Sequence, residues 1–195
     1  MGQAKIRREA LRLELLSKCS EWDFPASAWE ADLCSELREQ DVLLVPRASA
    51  EQLAWARMPA NQCHANARWY EKNDPTGNAR AVVGWWVQWP NFVLHSIIET
   101  KGQLICITPS SIKEMKIPFI RDPKISWVED GDVYSAIRND HVIGHGVRMF
   151  PAYTAAQTAV FRDRLLAGID PFIATYFTDQ ELEDLKERYI TAREQ

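Results

Sequence analysis

Residues 4–19 and 27–39 carry the apolar spacing of two helices, and the intervening SEWDFPAS supplies Pro25 as a break and Ser27 as an N-cap. The apolar run DVLLVP at 41–46 ends on proline, and SAEQ at 49–52 has the Ser-x-x-Gln spacing of a capping box that opens a short helix through Trp55. Asn61 is the expected N-cap of the next helix, so Gln62, Cys63 and His64 form its first turn, and the helix runs to about Glu71 before the turn NDPTG.

From Ala79 the pattern changes. ARAVVGWWVQW, NFVLHSIIET and QLICITP are rich in β-branched and aromatic residues and are separated by Pro90-Asn91 and Lys101-Gly102, which predicts an antiparallel meander. IPFI and ISWVE add short edge strands, SIKEMK is a connector, and helix resumes from Thr154 to Leu166. Thr178 with Glu181 forms a second capping box at the start of a charged terminal helix. The order predicts an α+β fold in a single domain, 1–195: a helical layer at 1–40, a cysteine helix with an antiparallel sheet at 41–130, and a loop with C-terminal helices at 131–195.

Composition narrows the function more than it names it. A net charge of −4 gives no chain-wide attraction for phosphate backbones, so nucleic acid is not an expected partner. The basic group Lys5, Arg7, Arg8 and Arg12 is interleaved with leucines and reads as the solvated face of a helix. No stretch has the length of a membrane span or of a signal-peptide apolar segment, which predicts a cytoplasmic protein with no membrane partner. Four cysteines without a CxxC pair suit neither a disulfide framework nor a zinc finger, so reduced thiols and no cofactor are expected. His141 and His145 are four apart, but Gly144 and Gly146 argue against a helical metal pair.

The candidate chemistry lies between residues 61 and 109. A thiol at a helix start faces unpaired backbone N–H groups, which favour thiolate and can hold an oxyanion. A nucleophile also needs a base, and His95 is the candidate. If the Lys101-Gly102 turn closes on two or four residues, Glu99 pairs with Leu104, Ile97 with Cys106 and His95 with Thr108, so that His95, Cys106 and Thr108 share a face. A three-residue turn with a bulge sends Cys106 and Thr108 to the other face. Asn66 shares the Cys63 face of the helix, whereas His64 diverges from it. Of the nearby aromatics, Trp69, Tyr70, Trp85, Trp86, Trp89 and Phe92 fit a core better than a groove.

Cys63-His64-Ala65-Asn66, Gly84-Trp85, His95-Ser96-Ile97 and Gly102-Gln103-Leu104 followed by Ile107-Thr108-Pro109 together resemble a group of poorly characterised bacterial proteins. That group carries a Cys-His-x-Asn segment, a Gly-Trp strand, a His strand and a Gly-x-Leu-x-Asp-Ile-Thr-Pro strand. The order is similar to the papain-like and transglutaminase-like superfamily of thiol hydrolases and acyltransferases. The resemblance implies a papain-like core, a Cys63 nucleophile and a His95 base acting on a peptide, protein or small amide substrate. Cys106 stands where the group has Asp, leaving Thr108 or Glu99 as partial substitutes for the orienting acid. Two alternatives follow from the same residues: an inactive binding module on this scaffold, or a zinc site at Cys63, His95 and Cys106.

Overall fold

The computed structural model describes residues 3–109, 115–130 and 133–190; most of the SIKEMK connector, 111–114, lies outside them. The fold is α+β with antiparallel sheets, and the chain forms two compact units, residues 1–32 with 148–195, and residues 33–147. Among the described residues no helix is long and apolar enough to cross a membrane.

The first unit contains α1 (Gln3–Glu21), the start of α2 (Ala28–Arg38), α5 (Pro151–Leu166), α6 (Pro171–Ala174) and α7 (Asp179–Tyr189). Cys19, Leu165 and Ala174 centre its core, with Leu15, Leu16 and Phe161 packed around them. The α2 start is capped as expected, Ser27 Oγ accepting from Glu30 N–H at 3.1 Å, and Thr178 and Glu181 complete the capping box of α7. The Glu30 carboxylate is itself buried and accepts from Arg148 Nε at 2.9 Å and Nη2 at 2.8 Å, a bidentate pair that satisfies both charges away from water.

In the second unit β1 (Leu43–Pro46), α3 (Ala50–Trp55) and α4 (Cys63–Asn73) precede β2 (Arg80–Gln88), β3 (Asn91–Thr100), β4 (Gln103–Ile105) and β5 (Lys116–Arg121). The strands run in the order β1-β5-β2-β3-β4. Residues just past β1 and β4 then join the two ends of that path. Arg47 bridges Cys106 in parallel, Cys106 N–H donates to Pro46 C=O at 2.8 Å, and Ala48 N–H donates to Cys106 C=O at 2.9 Å. The sheet therefore curls into a small closed barrel. Its inner face holds Val45, Val82, Trp86, Ile97, Cys106, Ile117 and Phe119. On the outer face α4 covers β2 and β3, where Ala67, Met58, Ala79, Ile98 and Ile107 form a second cluster.

Closure explains two departures from expectation. QLICITP contributes only Gln103–Ile105 to the β3 ladder, because Cys106 turns its backbone bonds to the β1 end. IPFI is no edge: β5 pairs with β1 on one side and β2 on the other. Beyond it, β6 (Ser126–Asp130), β7 (Val133–Arg138) and β8 (His141–Ile143) form a separate sheet, followed by β9 (Gly146–Arg148). His141 thus sits in a strand, its Nδ1 paired with Asn139 C=O.

Candidate active site

The helix bearing Cys63 begins differently from α3 and α7. Its N-cap is Gln62, not Asn61, and makes no side-chain capping bond; Asn61 instead adopts φ 59°, in the left-handed region that asparagine tolerates. The first-turn N–H groups are consequently left without a capping oxygen. Cys63 occupies the first helical position and is the one partly exposed thiol, Cys19, Cys34 and Cys106 being buried.

The β3–β4 register follows the two-residue turn. Glu99 pairs with Leu104 and Ile98 with Ile105, with Lys101 and Gly102 at φ 50° and 73°. Alternation then places His95, Ile97 and Cys106 together, and His95 Nε2 lies 3.4 Å from Cys106 Sγ inside the barrel. The Trp86 ring meets the imidazole edge-on, with centroids 5.3 Å apart. The same alternation points Ser96 outward to α4, where its hydroxyl lies 2.7 Å from His64 Nδ1. Beyond Ile98 the edge of β3 has no partner in β4, and the Ser96 N–H is turned to the Cys63 sulfur. Cys63 therefore adjoins the strand segment that carries His95, at the gap where β4 leaves.

Asn66 and Thr108 stand together but serve another purpose. Asn66 Nδ2 donates to Pro59 C=O at 2.9 Å and reaches Thr108 Oγ1 at 3.4 Å, which ties the helix to the loop before it and to the segment after β4. Thr108 C=O accepts from Arg47 Nη2 at 3.0 Å. Glu99 cannot orient the imidazole, because its carboxylate is paired with Arg121 at 2.9 Å. The group touching Nε2 is Cys106, and it is a thiol.

Burial decides the protonation states. The Cys63 thiol is pushed up by desolvation, which outweighs the N–H groups of Ser96, His64 and Cys63 itself, and Cys106 raises it further. This corrects the thiolate expected at a helix start. His95 is pushed down to about 3, first by desolvation and then by the charges of His64 and Arg47; His64 falls to about 4 through desolvation and Arg68. Cys106 is likewise raised by burial. At neutral pH the site holds neutral thiols and neutral imidazoles.

Ser96, Arg47 and Trp86 complete the surroundings that sequence reasoning did not assign. Ser96 was accessible in principle, since a residue next to His95 on a strand must face the other way; the Arg47 contact depends on barrel closure. Trp85, Trp86 and Phe92 are buried, whereas Trp69 and Trp89 are exposed, so the aromatics form no continuous groove. Among the described residues no three His, Cys, Asp and Glu side chains are arranged to hold a metal ion, and Cys63, His95 and Cys106 are not such a set. No protein-family model, curated protein or solved structure matches the chain.

Proposed function

We propose that the chain is a papain-like thiol hydrolase or acyltransferase acting on an amide, peptide or ester carbonyl, with Cys63 as nucleophile and His95 as base. The observation that supports the reading is the contact of Cys63 with the strand segment that carries His95. Cys63, at an uncapped helix start, takes the N–H of Ser96, and the neighbouring His95 has its Nε2 engaged by Cys106. That engagement leaves Nδ1 as the ring's other proton site.

From neutral partners, the Cys63 S–H proton passes to His95 as sulfur attacks the carbonyl carbon, and the C=O electron pair moves to oxygen. First-turn N–H groups of α4 stabilise that oxyanion. Its collapse expels the amine or alcohol, which takes the proton back from the imidazolium and leaves a thioester on Cys63. Water or an acceptor amine, deprotonated by His95, then releases the acyl group. Cys106 orients the ring as a thiol and contributes no negative charge, so turnover is slow; removal of the orienting acid in a related triad costs on the order of 10⁴ in rate.

The test is acetylation by p-nitrophenyl acetate followed by peptide mass spectrometry. The expected outcome is an acetyl thioester at Cys63, absent from Cys63→Ala and formed at least about tenfold more slowly in His95→Gln. Acetylation confined to lysines, or a Cys63 rate unaffected by His95→Gln, overturns the proposal.

A further inference from the structure

The arginines of this fold that are most deeply placed are paired with acids. Arg148 binds Glu30, and Arg138 binds Asp122 at 2.7 Å and Glu36 at 2.8 Å. Even partly exposed Arg164 and Arg121 pair with Glu181 and Glu99. Arg68 is different. Half-buried on α4, its guanidinium carbon lies 4.4 Å from the Trp127 ring and 3.9 Å from the Tyr134 ring. Its Nη2 is buried with no hydrogen-bond partner, and no carboxylate among the described residues pairs with it. Glu129, paired across the strands with Tyr134, is engaged by the Tyr134 hydroxyl at 2.7 Å.

Two aromatic faces fix the plane of a guanidinium while leaving its N–H edge unspent, which is the arrangement that accepts a planar anion. The position on the helix says where such an anion sits. Arg68 is four residues after His64 and so shares its face, and helical side chains lean toward the N-terminus, back toward the turn of Cys63. The two residues are visibly coupled: the Arg68 charge helps hold the His64 imidazole neutral, and His64 stands edge-on to Trp127 with centroids 4.8 Å apart. Cys63 and Arg68 stand five positions apart on α4, about 7.5 Å along the axis and roughly 140° around it. Contacts join them: Cys63 takes the Ser96 N–H, the Ser96 hydroxyl lies 2.7 Å from His64 Nδ1, and His64 packs on the Trp127 ring that also covers Arg68.

We infer that Arg68 is a specificity-determining residue that binds a carboxylate on the substrate attacked by Cys63. The substrate class is thereby narrowed to acyl compounds with a free carboxylate within one or two residues of the scissile carbonyl, such as a peptide end or an acidic side chain. The inference builds on the acyl-transfer reading of Cys63, but it can be measured without any turnover.

Iodoacetate and iodoacetamide alkylate the same thiol and differ in one carboxylate. The ratio of their rates at Cys63, followed by peptide mass spectrometry, cancels any general change in thiol exposure. In Arg68→Gln that ratio is expected to fall by about tenfold, the scale of one charge contact near a protein surface. In Arg68→Lys, which keeps the charge without the planar fork, it falls less. An unchanged ratio in Arg68→Gln overturns the inference; if that variant does not fold, a wild-type ratio in Arg68→Lys does so. A ratio that falls while p-nitrophenyl acetate leaves Cys63 unacylated rejects the hydrolase reading and keeps the anion site. Acylation with an unchanged ratio does the reverse.

Discussion

At the scale of single residues, Cys106 separates a working triad from this site. It is fully buried, and its sulfur meets His95 Nε2 where a carboxylate would stabilise the imidazolium formed during attack. Cys106→Asp is expected to raise the rate of Cys63 acetylation by at least about tenfold. An adjacent negative charge also draws the His95 pKa upward from about 3, so the acid limb of the pH–rate profile moves to higher pH. Burying the carboxylate costs stability, which its pairing with the imidazolium offsets only in part. A variant whose rate and pH profile both match wild type would show that the 106 side chain does not act on His95. Strand alternation places His95 and Cys106 on one face once the Lys101-Gly102 turn closes on two residues, so this contact was legible in the sequence as one of two registers. The protonation states were not, because the burial of Cys63 and His95 depends on strands that close from residues 41–46 and 116–121. Asn66 was legible as a neighbour of the cysteine face, but its partners Pro59 and Thr108 come from two separate loops that have no periodicity.

Among the elements, the strands and capped helices follow local signals. Both capping boxes form, and the Lys101-Gly102 turn sets the β3–β4 register. What local pattern does not carry is the pairing of distant ends, the link from Arg47 to Cys106 that makes a barrel out of a meander. Gly84 records the close approach of β2 to β5 within the sheet. A Cβ there would lie 2.1 Å from Ile120 O and 2.6 Å from Phe119 Cζ, both on β5, so only glycine lets β2 pack against its neighbour. Gly102, at φ +73° with open space around it, has a purely conformational requirement. Gly84→Ala is therefore expected to destabilise the protein by more than about 3 kcal/mol or to prevent folding, and Gly102→Ala by about 1–2 kcal/mol. Urea unfolding of the two variants checks the order. Equal costs would mean that the β2–β5 contact relaxes freely.

For the whole molecule, two buried imidazoles make stability depend on acidity. His95 and His64 have folded-state values of about 3 and about 4, both below the ordinary 6.5 that they regain on unfolding. Between these values the unfolded chain binds protons that the folded chain refuses, so the unfolding free energy rises with pH. The contribution is fully present above pH 6.5 and is lost as pH falls below it. The loss stops near pH 4 for His64 and near pH 3 for His95. Each imidazole supplies a slope of about 1.4 kcal/mol per pH unit, so the two together give about 3 kcal/mol per unit through the middle of the window. Carboxylates held low in the fold, Glu36 by Lys124 and Arg138 and Asp74 by the Ala79 and Thr76 N–H groups, add to acid sensitivity only nearer their ordinary values of 4.5 and 3.8. The interval from pH 6 to 5 thus isolates the histidines. Urea unfolding across it is expected to show a steep loss of stability in wild type. In His95→Gln, which fills the same place inside the barrel without titrating, the slope falls by about 1.4 kcal/mol per pH unit. A wild-type stability that stays flat across that interval would mean that water or a charge partner reaches His95 in the folded protein. The neutral thiol–imidazole pair from which attack begins would then be replaced by a charged one.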